Sequence, residues 1–504
     1  MKEVSLGIKE LFAAAFKHQN KKEFLKAESI YKKILNISPN DISTLNNLGN
    51  VLRELKKYKE SIYYFDKALN IKPQDIITNY NFGLLFYKLE EYEKSAVFYN
   101  KVVEIDSNHI QSYHNLMDIY EKTNNHQKLE AIIAKANNFL KDNFIIKLYE
   151  GILLFKNEKF QQAIKILETF VFNERNIKQE QLRILTLGKC YDGLKNPDKA
   201  YSCFVKSNEI SSKLKNQNIN KNIYLQEIKR REKFFIKFKK EKWSNLETVD
   251  KNINPIFMVG FPRSGTTLLD TILRSHPKIE VIEEKSTVSK LVSSLKDYTK
   301  NDFNNFKTLE IENLKKIRNL YFENLNFYSK NKNSSKIYID KLPLNIIHIG
   351  EILRVFPNAK FIISIRHPCD CVLSCFMQSF TMNNAMANFV NLEDAAILYD
   401  AVMKLWMHYV SVFNMNYHEI RYESLVKNLE VTIRPLLKFL ELKWNDSVLE
   451  FQQTAKKRTQ IKTPSYDQVI KPIYSEASGR WKIYQKQIKN IYPILDPWIK
   501  KFNY

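Results

Sequence analysis

Apolar and small side chains recur through the first 210 residues with helical spacing and with a longer period of 34 residues. The set Gly49, Tyr58, Ser61 and Phe65 returns 34 positions later as Gly83, Tyr92, Ser95 and Tyr99. Small residues at two fixed positions let two antiparallel helices approach closely, and the aromatic side chains fill the space around that contact. The pattern therefore predicts a stack of helical hairpins.

This period resembles that of the tetratricopeptide repeat, over about residues 7 to 213 in five or six copies. The phase holds through Met117 and Gly151 and slips by three residues before Gly188. An unrelated helical bundle is the alternative, but a bundle has no reason to keep a fixed period. The resemblance implies a repeat domain over residues 1–213 whose concave groove binds a peptide or protein partner.

Residues 214–252 are predicted to form a connecting helix. This segment is rich in Lys, Asn and Glu, and its apolar side chains have near-helical spacing: Tyr224, Ile228, Phe234, Phe235 and Phe238. It leads into a second domain over residues 253–504.

The second domain begins with a pattern typical of strand, tight loop and helix. An apolar run over 256–260 is followed by FPRSG over 261–265 and by an amphipathic stretch over 266–275. Backbone amides at a helix start stabilise an anionic oxygen. The loop differs from a nucleotide-triphosphate loop because Thr266 stands where that loop needs its Lys, and Arg263 lies inside it. These residues disfavour a kinase or ATPase and favour a donor with a phosphate-linked anion, transferred without a metal.

Two further apolar runs end in a cation. Residues 337–340 lead into Lys341, and residues 360–365 lead into Arg366, which is followed eight positions later by Ser374. Ligands collect at the carboxyl edge of an open parallel sheet, so Arg366 and Ser374 are predicted to form a second anion site. The fold predicted for the chain is an α-solenoid followed by an α/β domain, a P-loop-like three-layer sandwich with a parallel sheet.

At this point the residues resemble a known family. FPRSGTTLLDTILRSHP (261–277), IRHPCDCVLS (365–374) and GRWKIY (479–484) resemble the sulfotransferases that use 3′-phosphoadenosine 5′-phosphosulfate, PAPS. The tyrosylprotein sulfotransferases and the bacterial sulfotransferases with tetratricopeptide repeats are the most similar groups. DQVIKP (467–472) also resembles the tyrosylprotein group.

The resemblance implies a role for each matching residue. The loop residues Arg263, Ser264, Gly265, Thr266 and Thr267 would hold the 5′-phosphosulfate. Further nucleotide contacts would come from Arg366, Ser374, Tyr422, Ser478, Arg480 and Trp481. Arg480 and Trp481 either close over the adenine or only pack. Lys341 would stabilise the transferring group together with Arg263, and Glu284 would be the base, with Glu283 as its rival.

The sequence departs from the tyrosylprotein pattern at three positions. Gly479 replaces the Ser of a Ser-Lys-Trp turn, although Ser478 is adjacent. Gln378 replaces an Arg four residues after Ser374, and Ser286 replaces an Arg that serves acidic peptides. The last difference leaves protein tyrosine as one acceptor among several.

Composition adds limits on partners and compartment. Lys and Arg number 79 against 55 Asp and Glu, a net charge of +24, but the cations are scattered, so no nucleic-acid surface is predicted. No apolar run is long enough to span a bilayer, and five cysteines without a disulfide spacing indicate the cytoplasm. Cys369, Cys371 and Cys375 are interpreted as small buried residues and not as metal ligands.

The predicted function is transfer of a sulfuryl group from PAPS to an acceptor hydroxyl, which releases adenosine 3′,5′-bisphosphate without a metal. The acceptor is a protein, a glycan or a small molecule, with protein tyrosine as one candidate, and the repeats recruit it or another partner. The alternative is an adaptor whose repeats bind partners while the nucleotide domain is inert. A magnesium-dependent phosphotransferase is a weaker third interpretation.

Overall fold

The computed structural model describes residues 2–215, 217–236, 254–329, 336–457 and 478–504, with side chains from residue 7 onward. Its internal contacts divide the chain into two compact units, Met1–Phe172 and Asn173–Tyr504. The predicted domain bounds follow the sequence period and not the contacts, so they remain a prediction. Residues 467–472 and Phe238 lie outside the described residues.

The first unit is built from ten helices that pair with their sequence neighbours. They are α1 (Lys2–Asn20), α2 (Phe24–Ile37), α3 (Ile42–Glu54), α4 (Tyr58–Ile71), α5 (Ile76–Lys88), α6 (Tyr92–Ile105), α7 (Ile110–Lys122), α8 (His126–Phe139), α9 (Phe144–Lys156) and α10 (Phe160–Leu167). Asp41 starts α3 by accepting a hydrogen bond from the Thr44 amide at 2.8 Å, and Asp75 starts α5 in the same way. The helical solenoid predicted from the period is confirmed.

The small residues of the repeat lie where paired helices touch. A Cβ on Gly49 would come within 2.7 Å of the Phe65 ring, and a Cβ on Gly83 within 2.7 Å of the Tyr99 ring. The Ser95 hydroxyl donates to the Gly83 carbonyl at 2.7 Å across the same contact. The hairpins α3–α4 and α5–α6 are therefore each locked by one close approach and one buried hydrogen bond, which in α3–α4 runs from Ser61 to the Gly49 carbonyl.

The second unit begins with three helices, α11 (Ile177–Gly193), α12 (Pro197–Leu214) and α13 (Lys221–Ile236). The pair α11 and α12 has the same close contact, because a Cβ on Gly188 would come within 2.9 Å of Phe204. Helix α13 lies inside the segment predicted as a connecting helix. Its Arg231 is buried and forms an ion pair with Glu351 at 2.7 Å, which attaches α13 to the domain that follows.

Five parallel strands form the sheet of the second unit, in the order β2-β3-β1-β4-β5. They are β1 (Ile256–Gly260), β2 (Ile279–Glu283), β3 (Ile337–Lys341), β4 (Lys360–Ile365) and β5 (Asn416–Arg421). The connection after β1 leaves toward β2 and the connection after β4 leaves toward β5, so the crevice between β1 and β4 opens at their carboxyl ends. In the register Gly260 pairs with Ser364, and Glu283 pairs with Lys341.

Helices cover both faces of the sheet. The described ones are α14 (Thr266–Ser275), α15 (Thr287–Thr299), α16 (Ile311–Tyr328), α17 (Ile349–Val355), α18 (Pro368–Phe376), α19 (Leu392–Val412), α20 (Tyr422–Lys427), α21 (Leu429–Phe439), α22 (Phe451–Lys457), α23 (Gln485–Ile488) and α24 (Tyr492–Lys501). Met258 packs in one core with α14 and α21, whereas its neighbour Phe257 contacts Tyr321 of α16. Alternate side chains of β1 thus bury into opposite layers, and the predicted three-layer α/β fold is confirmed. Within the described ranges, no helix is both long and apolar enough to cross a membrane.

Candidate active site

The loop between β1 and α14 has a conformation that ordinary residues resist. Arg263 has a φ of 68° and Gly265 a φ of 99°. A Cβ on Gly265 would also lie 2.6 Å from the Tyr422 ring, so glycine is required there by both backbone and space. Such strain is retained where the surroundings hold it in place.

Three contacts from β4 and α18 hold this loop. The Ser364 hydroxyl donates to the Ser264 carbonyl at 2.7 Å, and Arg366 Nη1 donates to the Arg263 carbonyl at 3.1 Å. The Cys375 thiol lies 3.4 Å from the Pro262 carbonyl. The loop amides at the start of α14 are therefore pre-arranged.

Three buried hydroxyl residues line the loop and the start of α14: Ser264, Thr266 and Thr267. Ser264 is 1% exposed, and its Oγ makes no hydrogen bond with any described atom. A buried hydroxyl without a partner is unfavourable, so a ligand oxygen at this point would satisfy it. The loop has the donors for an anion.

The two predicted anion-binding arginines are in contact, because Arg366 Nη1 donates to the Arg263 carbonyl. Arg263 Nε donates to Ser374 Oγ at 3.0 Å, and the Arg366 guanidinium lies 4.7 Å from the centre of the Tyr422 ring. Burial opposes the charge of Arg366, but the neighbouring acidic groups, Asp370 first among them, together outweigh it and raise the pKa of the guanidinium. Arg263, Arg366, Ser374 and Tyr422 thus form one cationic cluster at the ends of β1, β4 and β5.

A second cluster lies at the ends of β2 and β3. Lys341 is fully buried, and its Nζ lies 2.9 Å from Glu284 Oε1 and 3.3 Å from Glu283 Oε1. Burial opposes the ammonium, but the two carboxylates raise the pKa of Lys341 overall. The Glu284 side chain is 30% exposed against 11% for Glu283. Glu284 is therefore the carboxylate that an incoming group reaches more easily.

The C-terminal turn at 478–481 lies against the start of α18. Asp370 accepts hydrogen bonds from the Gly479 amide at 2.7 Å and the Trp481 amide at 2.9 Å. The Trp481 ring stacks on His367 at 4.8 Å, and burial lowers the pKa of His367 to about 4, so this ring is neutral. Arg480 forms an ion pair with Asp192, and Ser478 begins the turn, partly exposed.

Several residues of this region were missed in the sequence. Ser364 is a polar residue near the end of the apolar run of β4, and Asp370 is an acidic residue in the first turn of a buried helix. A polar residue inside an otherwise apolar strand or helix indicates a specific contact, so Ser364 and Asp370 could have been found from the sequence. Glu423, which accepts a hydrogen bond from the His367 amide at 2.9 Å, carried no comparable signal.

The remaining sequence features also have places in the structure. Ser286 precedes α15, and its Oγ lies 3.4 Å from the Tyr328 hydroxyl. Gln378 lies two residues after the end of α18. Cys369, Cys371 and Cys375 are buried in α18, and burial raises the pKa of Cys369 to about 12, so a neutral thiol is favoured there.

Residues 255–446 match the model of the Sulfotransferase family, and residues 40–108 match the Tetratricopeptide repeat. The chain therefore combines tetratricopeptide repeats with a sulfotransferase-like region. This confirms the resemblance drawn from the loop, α18 and repeat motifs.

Relatives of known name support the same similarity. A protein-tyrosine sulfotransferase of Drosophila melanogaster is 28% identical over 240 residues, covering 45% of this chain and 46% of the relative. Protein-tyrosine sulfotransferase 1 of Danio rerio is 27% identical and covers 46% of this chain and 66% of the relative. An uncharacterized protein of Aquifex aeolicus is 29% identical over 349 residues, with coverage of 68% and 44%. The chain thus spans about half the length of the first curated relatives it matches.

Solved structures similar to this chain include a tetratricopeptide repeat protein from Parabacteroides merdae, at 17% identity and a TM-score of 0.36, covering 45% of this chain and 87% of the other. YrrB, a TPR protein, has 15% identity and a TM-score of 0.29, with coverage of 36% and 91%.

Proposed function

We propose that the chain is a sulfotransferase that moves a sulfuryl group from PAPS to an acceptor hydroxyl and releases adenosine 3′,5′-bisphosphate. The observation that carries this proposal is the convergence, on one sheet edge, of a cationic cluster and a cluster of one buried lysine with two carboxylates. Arg263, Ser374 and Arg366 lie together at the β1/β4 crevice, and Lys341 with Glu284 lies at the ends of the neighbouring strands. This edge falls within the residues that match the sulfotransferase family.

The donor fits the groups around the loop. PAPS carries several negative charges, and Arg263, Arg366 and Lys341 supply three cations for them. The buried Ser264 Oγ that makes no hydrogen bond with described atoms supplies a donor for a phosphosulfate oxygen. Thr266 and Thr267 begin α14, where amide groups favour an anion. Arg366, Ser374 and Tyr422 would hold the 3′-phosphate end.

In the proposed reaction the acceptor oxygen attacks sulfur as the bond between sulfur and the bridging phosphate oxygen breaks. The negative charge that grows on the bridging oxygen would be stabilised by the ammonium of Lys341. The acceptor proton goes to the Glu284 carboxylate, which leaves the new sulfate ester and adenosine 3′,5′-bisphosphate. Glu284 is assigned over Glu283 because its side chain is the more exposed of the two.

The timing of the proton transfer limits the acceptor. A phenol has a pKa of ~10 and a Glu ~4.3, so complete transfer before attack would cost ~6 units, about 8 kcal/mol. The proton must therefore move while the sulfur–oxygen bond forms. An aliphatic hydroxyl is a far weaker acid than a phenol, so this site favours a phenol, and protein tyrosine agrees with the names of the relatives. The repeats would recruit that protein or another partner.

The compartment is part of the proposal. Cys190, Cys369, Cys371 and Cys375 are buried thiols that form no disulfide. Unpaired thiols are usual in a reducing compartment, which favours the cytoplasm.

The direct test is incubation of the full chain with radiolabelled PAPS and tyrosine peptides, combined with calorimetric titration of adenosine 3′,5′-bisphosphate. We expect binding by the wild type and labelled peptide as product. Glu284→Gln should lose about 10²- to 10⁴-fold in kcat and keep its nucleotide affinity, because it removes only the base. Glu283→Gln is the matched comparison and should lose less.

Unchanged turnover in Glu284→Gln would remove this residue from the base role. Absence of nucleotide binding at millimolar concentration would reject the donor site and favour the adaptor. A magnesium requirement for turnover would favour the phosphotransferase.

A further inference from the structure

The helical hairpin α11–α12 contacts the C-terminal turn beside the proposed donor site, and all of these residues belong to the second unit. Asp192, near the end of α11, accepts a hydrogen bond from Arg480 Nε at 3.0 Å and forms an ion pair with Arg480 Nη2. The Tyr484 hydroxyl donates to Asp192 Oδ1 at 2.7 Å. One carboxylate therefore holds Arg480 of the turn and Tyr484, three residues after the turn.

This contact is shielded from solvent. The side chains of Asp192 and Arg480 are 17% and 24% exposed, and Tyr484 is fully buried. Burial, with the nearby Asp192 charge, raises the pKa of Tyr484, so its phenol stays a donor. A forked pair between a carboxylate and a guanidinium is directional, and it is screened less here than at an open surface.

The opposite side of the same turn is attached to the donor site. Asp370 binds the Gly479 and Trp481 amides, and Asp370 Oδ2 also lies 4.0 Å from Arg366 Nη2. Asp192 thus binds the Arg480 side chain of the turn, and Asp370 binds the backbone amides of the turn on the opposite side.

The hairpin also supports the helix that carries Ser374. Asn208 Nδ2 of α12 donates to the Phe376 carbonyl at 2.9 Å, and the Tyr201 ring stacks on Phe376 at 5.3 Å. Phe376 is the last residue of α18 and lies two positions after Ser374. The hairpin α11–α12 therefore contacts both the C-terminal turn and the helix that carries Ser374.

We infer that Asp192 is a positioning residue for the PAPS donor. Asp192 lies on the hairpin α11–α12 and binds Arg480 and Tyr484, and it thereby holds the C-terminal turn in place beside Arg366. The inference rests on the proposed function. Without Asp192 the turn keeps its backbone bonds to Asp370 and the stacking of Trp481 on His367, but it loses the anchor of the Arg480 side chain. Part of the ordering of the turn is then transferred to the binding step and weakens it. Glu284 and Lys341 have no contact with Asp192 among the described bonds, so the chemical step keeps its rate.

The chain offers a matched control in Asp198. This residue lies in the first turn of α12 and contacts the same C-terminal segment, at 2.7 Å from Gln487 Nε2 and 3.3 Å from Lys486 Nζ. The Asp198 and Lys486 side chains are 66% and 81% exposed. A solvated pair of this kind contributes little. Asp198→Asn therefore removes an equivalent charge from the same hairpin without loosening the turn.

The experiment titrates adenosine 3′,5′-bisphosphate into the full chain by calorimetry and measures KM for PAPS and kcat. Asp192→Asn should raise Kd and KM about tenfold with kcat unchanged, while Asp198→Asn stays within twofold of the wild type. Asp192→Glu, which keeps the charge, should recover at least half of the loss on a logarithmic scale. Unchanged Kd in Asp192→Asn, or a fall in kcat alone, would overturn the inference.

A second experiment applies if Asp192→Asn folds poorly. Arg480→Met removes the ion pair from the other end, and the double variant with Asp192→Asn should bind no worse than the weaker single variant, because both break one contact. Additive losses would mean that Arg480 contacts the nucleotide independently and would overturn the role of Asp192. If the wild type itself bound no nucleotide, the proposed function would fail instead, which is a separate result.

Discussion

Glycine is retained in the helical hairpins and in the loops of the second unit for different physical reasons. In the repeats, Gly49 and Gly83 lie inside helices and leave room for an aromatic ring of the paired helix. In the second unit, Gly265 has a left-handed φ and stands against Tyr422 at the proposed donor site. Among the described glycines, those with positive φ all lie in the second unit: Gly260, Gly265 and Gly479.

Gly83 is required because a side chain would not fit between the paired helices, whereas Gly265 is required also because its backbone has a positive φ. Gly83 and Tyr99 are 16 positions apart and belong to one hairpin, and the contact returns with the repeat. Gly265 and Tyr422 are 157 positions apart and meet once. A defect at the first type of site should weaken folding, and a defect at the second type should weaken ligand binding.

The largest expected effect is that of Gly265→Ala. The added Cβ meets the Tyr422 ring at 2.6 Å and a φ of 99° that an L side chain rarely adopts, so the loop must shift. We expect at least 100-fold weaker binding of adenosine 3′,5′-bisphosphate by calorimetry. Gly479→Ala is the comparison, because its φ is 76° but its nearest atom is the flexible Lys482 side chain at 3.6 Å. A larger loss in Gly479→Ala would show that the ring contact is unimportant.

Gly83→Ala should act on stability alone. The Cβ would lie 2.7 Å from the ring of Tyr99, which is fully buried and cannot move away freely. Overpacking of this kind costs about 1–3 kcal/mol, measurable by denaturant unfolding of the first unit, with nucleotide affinity unchanged. Gly7→Ala, with no atom within 4 Å of the new Cβ, should be neutral or stabilising. Weaker nucleotide binding in Gly83→Ala would contradict the view that defects at the repeat glycines affect folding and not ligand binding.

The pH dependence of stability should have opposite signs at two buried carboxyls. Burial raises the pKa of Asp340 to about 7 against hydrogen bonds from Thr287 and Tyr321. Between pH ~4 and pH ~7 the folded state then holds a proton that the unfolded state lacks, so stability falls as pH rises, by at most about 1.4 kcal/mol per unit. Burial opposes ionisation of Glu28 too, but Lys32 and Lys57 outweigh it and lower its pKa. Its contribution is therefore lost as pH falls below the unfolded value.

Thermal midpoints measured from about pH 2 to about pH 8 check this difference. Asp340→Asn should flatten the decline toward neutral pH, and Glu28→Gln should flatten the loss toward acid. An unchanged slope in Asp340→Asn would mean that this carboxyl is ionised throughout the range.

The smallest expected effects come from two serines with the same hydrogen-bond geometry. Ser95 Oγ donates to the Gly83 carbonyl, and Ser364 Oγ donates to the Ser264 carbonyl, both at 2.7 Å. Replacement by Ala should cost about 1 kcal/mol of stability at either site. Only Ser364→Ala should also weaken nucleotide binding, since it releases the loop of Arg263. Equal affinities in the two variants would argue that the loop is held without Ser364.

The candidate site could be predicted in part because its residues stand next to local signals. Lys341 and Arg366 each follow an apolar run, and Gly265 ends a loop before an amphipathic stretch. The pairing of Lys341 with both Glu283 and Glu284 had no such signal. It requires β2 and β3 to be neighbours, and their pairing joins segments separated by 50 residues or more.

The sequence by itself determined the elements that repeat or that follow from short-range patterns: the hairpins of the first unit, the strand before the anion loop and the helix after it. Their determinants are periodic contacts and backbone preferences within a few tens of residues. Only the tertiary structure decided the order of the strands, the meeting of Arg263 with Ser374 and the attachment of the C-terminal turn to Asp192. The two side-chain contacts join residues 111 and 288 positions apart. Local preferences carry no information on such pairs, which form when the apolar faces of sheet and helices are buried together.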